Sequence, residues 1–357
     1  NMLIIKYLFL QQPQHEIYRF VFHIESIILL KSYKSTSNIV YQKYYFLGIV
    51  YIKFPNLYCF RNIKDYNMKS QGGILMNNKI YLCIDLKSFY ASVECVERGL
   101  DPFKINLVVA DPTRGGGAIT LAATPAIKQL GVPSRGRIYE IPKDIEYITA
   151  TPRMTLYMQY SAKIYSIFLK FVSCEDIHVY SIDESFLDIT SYLSLYKMNA
   201  KQLAKTIIDE IYNVTGITAT VGIGTNLFLA KVALDITAKH AKDFMGYLDE
   251  DLFKQLIWHH TPITDVWMIG PGTANRLAAL GIKDLYGVAH YDEKILYKIF
   301  GVNAEYLIDH AWGKEQTEIS DIKAYRPSSN SISNSQILFE DYNYKDAYLI
   351  MKEMVET

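Results

Sequence analysis

The sequence lacks paired cysteines, long apolar runs and an excess of basic residues. Its cysteines form no C-x-x-C pair, which argues against a zinc site and a secreted disulfide scaffold and predicts a reducing, cytoplasmic setting. No apolar run approaches the ~18–20 residues of a membrane span, so we expect no membrane association. The 37 basic and 37 acidic residues cancel, although proteins that bind nucleic acid usually present a basic surface. The four cysteines are Cys59, Cys83, Cys95 and Cys174.

Residues 1–75 lack alanine, and their apolar runs show no sustained helical or strand period. The stretch QGGILM (Gln71–Met76) can be encoded by DNA that contains a ribosome-binding site just before Met76. We therefore expect translation to begin at Met76 and residues 1–75 to be a non-native or disordered extension; a genuine N-terminal segment is the alternative. The remaining 282 residues then hold 28 basic and 34 acidic residues, a net charge of −6.

The segment VYSIDESFLDIT (Val179–Thr190) has the alternation of a strand but carries two adjacent acids, Asp183 and Glu184. Neighbouring residues on a strand point to opposite faces, so one carboxylate should face the core, where an unpaired charge is costly. Two explanations are open. The acids are solvated at a hairpin tip, or a cation lies between them and a third acid.

A candidate for that third acid lies in KIYLCIDLKSFYASVECVERG (Lys79–Gly99), which predicts a buried strand running into Asp85. Beyond it the period becomes helical, with Ser88 at the position of an N-cap. An acid at the end of a buried strand, just before a helix N-terminus, projects into a cleft suited to phosphate.

Two glycine-containing segments follow. Residues 115–142 begin with three glycines, but no Lys-Ser/Thr follows, so a flexible turn is favoured over a Walker A loop. Nearby Lys128, Arg135 and Arg137 either contact phosphate or form a solvated basic face. Residues 218–243 predict a strand, a Gly-x-Gly turn and a helix whose lysines share one face, Lys231 and Lys239.

A third segment, residues 264–285, predicts a helix-hairpin-helix with the turn Gly270-Pro-Gly272. Glycines at such a turn let the backbone approach DNA phosphate closely without reading the bases. This motif does not need a basic surface, which weakens the objection raised by the charge balance.

In this order the segments CIDLKSFYASVE, AATPAIKQLGVP, YSIDESFLDIT, TVGIGTNLFLAK and IGPGTANRLAALGI resemble the Y-family DNA polymerases of UmuC/MucB/ImpB/SamB type. The resemblance covers about Lys79–Thr357. It implies error-prone, template-directed DNA synthesis across damaged template in SOS-type DNA repair. Primer-template DNA and dNTPs would be the substrates and two Mg²⁺ ions the cofactors. A UmuD-like subunit, a RecA filament and a sliding clamp would be partners in a bacterial cytoplasm.

The resemblance also implies roles for single residues. Asp85, Asp183 and Glu184 would be catalytic carboxylates and, with the Leu86 carbonyl, metal ligands. Tyr90 would be the steric gate that excludes a 2′-hydroxyl. Nucleotide binding would fall to Ser88, Phe89, Tyr90, Lys128 and Lys239, and DNA binding to Lys231, Gly270 and Gly272. Two positions depart from the family pattern: Lys87 replaces Asp or Asn, and Pro125 replaces a phosphate-binding Tyr.

The implied fold is α/β, an α+β ferredoxin-like palm with small fingers, a helical thumb and a partial little finger. The expected segments are a palm at 76–88 and 156–242, fingers at 89–155, a thumb at 243–313 with the helix-hairpin-helix at 264–285, a linker at 314–328 and a truncated little finger at 329–357.

Two other functions stay open. A short little finger favours a catalytically impaired DNA-binding remnant. A palm-fold nucleotidyl cyclase also uses separated acids, but it has no need of a helix-hairpin-helix. In the same C-terminal segment, QILF (Gln336–Phe339) resembles a sliding-clamp peptide, although a strand is favoured.

Overall fold

The computed structural model describes residues 79–327, 334–335 and 342–356. The expectations for residues 1–75, for the start at Met76 and for the QILF segment lie outside these residues. None of the helices in the described ranges combines the length and the apolar character needed to span a bilayer.

In the described part of the chain, eight strands form two sheets. The central sheet has the order β5-β6-β1-β7-β8, in which β1 pairs antiparallel with β6 and β7, and β7 pairs parallel with β8. The smaller sheet has the order β3-β2-β4. The strands are β1 Tyr81–Leu86, β2 Leu107–Val109, β3 Ala122–Ala123, β4 Ile148–Ala150, β5 Ile177–Val179, β6 Glu184–Asp188, β7 Ala219–Gly224 and β8 Met245–Leu248.

Helices surround both sheets and make up most of the chain after β8. In order they are α1 Phe89–Val96, α2 Pro125–Gln129, α3 Met154–Phe168, α4 Thr190–Tyr196, α5 Ala200–Thr215, α6 Leu227–Val232, α7 Glu250–Leu256, α8 Pro271–Ala279, α9 Leu285–Ala289, α10 Glu293–Phe300, α11 Asn303–Ala311, α12 Ile319–Ala324 and α13 Tyr344–Glu356. A π-helical turn, Ala233–Thr237, and a 3-10 turn, Ala238–His240, continue α6.

Strand β1 is buried on both faces because helices cover each side of the central sheet. Leu82 and Ile84 pack in the large core that α1, α3 and α5 share. Tyr81 and Cys83 point to the opposite face and pack against α6. A strand covered on both faces reads as a continuous apolar run, which is why this segment is recognisable in the sequence.

The Gly-x-Gly pair does not form the predicted turn. Gly222 and Gly224 lie inside β7, where α6 passes directly over the strand. A Cβ atom on Gly222 would lie 2.1 Å from the Ala230 carbonyl oxygen, and one on Gly224 would lie 2.2 Å from the Ala230 nitrogen. Glycine is required here because main chain packs on main chain. The contact fixes the helix that carries Lys231 against the sheet.

A second apolar core lies among α6 and helices α7 to α11, with Phe253, Leu277 and Leu296 fully buried. Within it the predicted helix-hairpin-helix segment begins with a single 3-10 turn, Ile263–Asp265. Pro271 and Gly272 are already the first residues of α8, so the bend precedes them.

Candidate active site

Asp85 and Asp183 come together at one end of the central sheet. Asp85 is the penultimate residue of β1 and stands opposite Glu184, the first residue of β6. The Leu86 amide donates to the Asp183 carbonyl at 2.9 Å, which continues this pairing by one residue. The Asp183 carboxylate accepts a hydrogen bond from the Ser181 hydroxyl at 2.6 Å. The end of β1 and the start of β6 lie side by side and therefore place three carboxylates at the same end of the sheet.

Asp85 is the least compensated of these acids. Burial, followed by the negative charge of Asp183, raises the pKa of Asp85 to about 7, even though Lys239 and Lys231 oppose the shift. Among the described residues none donates a hydrogen bond to its carboxylate or forms an ion pair with it. A partly buried carboxylate with a second one beside it is a place where a cation would be stabilising.

Glu184 is compensated by groups that the sequence did not suggest. The Lys231 ammonium lies 2.8 Å from one carboxylate oxygen and 2.9 Å from the other. The Cys83 thiol donates to Glu184 at 3.1 Å, and burial raises the pKa of this thiol well above its usual value, so it keeps its proton. Cys83 and Glu184 share the face of the sheet that α6 covers.

Asp235 links the two predicted lysines. It lies four residues after Lys231 and four before Lys239, and it accepts from Lys231 at 3.2 Å and from Lys239 at 2.7 Å. The prediction that both lysines share a helix face is therefore confirmed. Burial alone would lower the pKa of Lys231, but Cys83, Glu184 and Asp235 together raise it. The spacing of Asp235 was the available signal for its role.

Ser88 does not cap α1 with its side chain, contrary to the prediction. It adopts a left-handed conformation with φ of 51°, which is unfavourable for a residue other than glycine. Its hydroxyl accepts a hydrogen bond from the Lys128 ammonium at 2.9 Å. Strained backbone of this kind is concentrated at functional sites. Lys128, on α2, is electrostatically coupled to Asp85, although burial lowers its pKa.

Tyr90 lies in the first turn of α1, beside the carboxylates. Burial and then the charge of Asp183 raise the pKa of Tyr90 to about 12. Its ring stacks on Tyr157 of α3, with centroids 4.4 Å apart and planes 15° from parallel. Phe89, the preceding residue, is buried in the core. Tyr157 was not identified from the sequence, because nothing local indicates that α3 packs on this turn.

The three carboxylates do not converge as a metal ion requires. Within the described part of the chain, no group of three His, Cys, Asp or Glu side chains could hold a metal ion. Both oxygens of Glu184 lie within 3 Å of the Lys231 ammonium, and one of them also accepts from the Cys83 thiol. Gly270 precedes α8 and Gly272 is its second residue, and α8 packs in the second core. A Cβ atom on either glycine would meet open space.

Comparison with known proteins identifies the family. The impB/mucB/samB family model matches residues 84–235, which include every carboxylate discussed above. The UV-damage repair protein UvrX of Bacillus subtilis is 35% identical over 265 residues, 74% of this chain and 62% of that protein. DNA polymerase IV 2 of the same organism is 31% identical over 285 residues, 79% of this chain and 68% of its own. The chain thus spans about two thirds of these relatives.

Solved structures agree with this result. DinB from Sulfolobus solfataricus matches with a TM-score of 0.54 and 27% identity, over 70% of this chain and 69% of that one. A ternary complex of Dbh matches with a TM-score of 0.56 and 28% identity, over 67% and 68% of the two chains. The chain belongs to the impB/mucB/samB family, that of the Y-family DNA polymerases.

Proposed function

We propose that this chain catalyses template-directed transfer of deoxynucleotides to a DNA primer, including across damaged template. The observation that carries the proposal is the pair of neighbouring carboxylates Asp85 and Asp183 beside Tyr90, in which Asp85 has no ion-pair partner among the described residues. Relatives named as DNA polymerases and a neighbour solved as a ternary complex support it. The error-prone, SOS-type character is proposed from the same relationship.

Magnesium fits the first two carboxylates. Carboxylate oxygens are its preferred protein ligands, and a cation would offset both the burial of Asp85 and its repulsion by Asp183, which together raise the pKa of Asp85. Asp85, Asp183, Glu184 and the Leu86 carbonyl would hold two ions. When bound, the ions supply activation of the primer 3′-hydroxyl and stabilisation of the departing pyrophosphate.

Glu184 would join this ligand set by exchanging Lys231 for metal. In the ion pair, Lys231 neutralises a carboxylate that is only about a tenth exposed. Asp235 offers the displaced ammonium a second acceptor at 3.1 Å, so it need not be left unpaired. Without metal, the ion pair with Lys231 therefore neutralises Glu184. With metal bound, Asp235 would be the partner of Lys231.

Basic groups on the other side of Asp85 would bind the triphosphate. Lys128 and Lys239 both act electrostatically on Asp85, from α2 and from the turn after α6. The backbone amides of Ser88 and Phe89, at the start of α1, would complete the phosphate site. Tyr90 would lie beneath the sugar and exclude a 2′-hydroxyl.

The domain division is proposed on the same basis. The palm would comprise residues 76–88 and 156–242, which include α3, α5 and α6, the fingers residues 89–155 with the smaller sheet, and the thumb residues 243–313 with helices α7 to α11. In the thumb, the amides around Gly270 and Gly272 would contact DNA phosphate. Lys231, expected from the sequence to do the same, is only 7% exposed and is bound to Glu184 and Asp235, so it is not part of this contact. A UmuD-like subunit, a RecA filament and a sliding clamp are proposed as partners from the resemblance alone.

Primer extension tests the proposal. The full chain is mixed with a labelled primer on an undamaged or abasic-site template, dNTPs and Mg²⁺, with EDTA as the blank. Wild type should extend the primer on both templates. Asp85→Asn should lower the rate of extension by ~10²–10³-fold, the usual cost of one electrostatic contact in a transition state.

The matched control is Asp188→Asn, which changes a carboxylate on β6 that pairs with Lys79 at 2.9 Å. It lies opposite Tyr81, at the far end of the same strand pair, and should keep wild-type activity. A wild-type chain that extends neither primer, or an Asp85→Asn variant that is as active as wild type, contradicts the proposed function.

A further inference from the structure

Helices α1 and α3 meet beside Tyr90, the residue proposed to lie beneath the sugar. Each contributes a pair of residues spaced four apart. Tyr90 and Glu94 lie on one face of α1, and Arg153 and Tyr157 lie at the start of α3. Tyr90 faces Tyr157 through its ring, and Glu94 faces both residues of the second pair. The position of the Tyr90 ring is thus tied to a polar contact one helical turn away.

Glu94 is fully buried, which is rare for a glutamate unless its charge is matched. Arg153 donates to both carboxylate oxygens, at 2.9 and 2.8 Å, and Arg98 donates from the next turn. The Tyr157 hydroxyl donates to the same carboxylate at 2.7 Å. A bidentate arginine with a third and a fourth donor gives a rigid, directional anchor.

Tyr157 is held at both ends. Its hydroxyl is fixed by Glu94, its side chain is fully buried, and one face of its ring lies flat against Tyr90. Tyr90 has no comparable hydrogen-bonded anchor among the described residues: it packs against the edge of the large apolar core, and its aromatic contacts there are with Tyr157 and with Phe89, which is tilted at 5.7 Å. The flat stack on Tyr157 is thus the contact that constrains the plane of the Tyr90 ring.

We propose that Tyr157, anchored by Glu94, is a positioning residue for Tyr90 and sets how strongly the chain selects deoxyribonucleotides over ribonucleotides. This inference rests on the function proposed above. A ring that excludes one hydroxyl must be held in position to within a fraction of an ångström, because the two substrates differ by a single oxygen. Freed from its stack, Tyr90 gains side-chain freedom and leaves space for that oxygen during part of the time.

The test measures kcat/KM for a ribonucleotide and a deoxyribonucleotide with the full chain and a primer-template. Tyr157→Leu removes the stack and should raise the ribonucleotide-to-deoxyribonucleotide ratio by about tenfold, the order that an aromatic pair contributes. Tyr157→Phe and Glu94→Gln keep the ring but weaken its anchor, and should raise the ratio by about threefold. Deoxyribonucleotide kcat/KM should stay within about threefold of wild type.

Tyr160→Phe is the matched control. The Tyr160 hydroxyl bonds Glu97 at 2.7 Å between the same two helices, but its ring does not stack on Tyr90. The ribonucleotide-to-deoxyribonucleotide ratio of Tyr160→Phe should equal that of wild type. In a Tyr90→Ala background, Tyr157→Leu should cause no further change, since Tyr157 acts through the missing ring.

Three results overturn the inference: a folded Tyr157→Leu or Tyr157→Phe variant with the wild-type ratio, an equal rise in Tyr160→Phe, or a further rise in the double variant. Thermal unfolding of each variant identifies any that does not fold, and Tyr157→Phe then carries the test. A wild-type chain that incorporates no deoxynucleotide overturns the proposed function instead. Normal incorporation with an unchanged ratio overturns this inference alone.

Discussion

Two groups of acidic residues lie near Tyr90, one around Glu94 and one around Asp85, and they are built in opposite ways. Glu94 receives donors from two arginines and a tyrosine, and although burial opposes it, these bonds lower its pKa. Asp85 has no such donors, and burial, followed by the charge of the neighbouring Asp183, raises its pKa to about 7. A folded chain gains stability from the first arrangement and loses it in the second. The second therefore indicates a site kept for a ligand rather than for the fold.

Glu184 lies between these extremes, because Lys231 is the one cation that pairs with it among the described residues. Lys231→Met should leave the Glu184 carboxylate without a neutralising charge. Removing one partner of a buried ion pair leaves the other charge desolvated, which costs about 3–5 kcal/mol of unfolding free energy. Urea denaturation measures the change. Lys239→Met is the matched control, since Lys239 also bonds Asp235 but is 43% exposed, and its loss should be under about 1 kcal/mol. Equal losses for both variants would contradict the contrast.

Asp183→Asn should separate activity from stability. It removes one of two crowded charges, so the free energy of unfolding should be unchanged or higher, while primer extension should fall ~10²–10³-fold. Single-nucleotide incorporation and urea denaturation of the same preparation check both statements. A variant that is both active and unstable would show that Asp183 serves the fold.

Glu94→Gln should show the reverse pattern. It leaves two arginines and a buried tyrosine hydroxyl with a weaker acceptor, at a cost of about 1–3 kcal/mol of unfolding free energy. Primer extension with deoxynucleotides should stay within a few-fold of wild type. If this variant loses as much activity as Asp183→Asn does, the contrast between Glu94, which stabilises the fold, and the Asp85–Asp183 pair, which serves a ligand, is wrong.

The smallest effect is expected where a tyrosine–carboxylate bond is exposed. Tyr160→Phe removes the bond to Glu97, which joins the same helices near the surface, and water can replace it. The unfolding free energy should change by no more than about 0.5 kcal/mol. A larger loss, measured by the same denaturation, would mean that contacts between α1 and α3 are costly to lose wherever they lie.

Local pattern explains which parts of the site could be predicted from the sequence. The buried strand ending near Asp85, the helical spacing after it and the shared face of Lys231 and Lys239 follow from short-range periodicity, and the structure confirms them. The side-chain cap at Ser88 was wrong, because the hydroxyl bonds Lys128, forty residues away.

Long-range partners account for the rest. The ion pair of Glu184 with Lys231 and the stack of Tyr90 on Tyr157 join segments 47 and 67 residues apart. No periodicity within a window of a few turns carries that information. The roles of the candidate residues in nucleotide and DNA binding stay predictions, to be settled by the experiments above.

The main-chain contact between β7 and α6 has a consequence for how this sequence tolerates change. Because Gly222 and Gly224 lie within van der Waals distance of the Ala230 backbone, no side chain can be inserted there without lifting the helix. Val221 and Ile223, on the other face, are buried in the large apolar core. In a library of random substitutions selected for activity, positions 222 and 224 should return glycine alone, while positions 221 and 223 should return a range of apolar residues. The alternation of invariant and variable positions along β7 would thus identify the face of the strand that packs against a helix backbone.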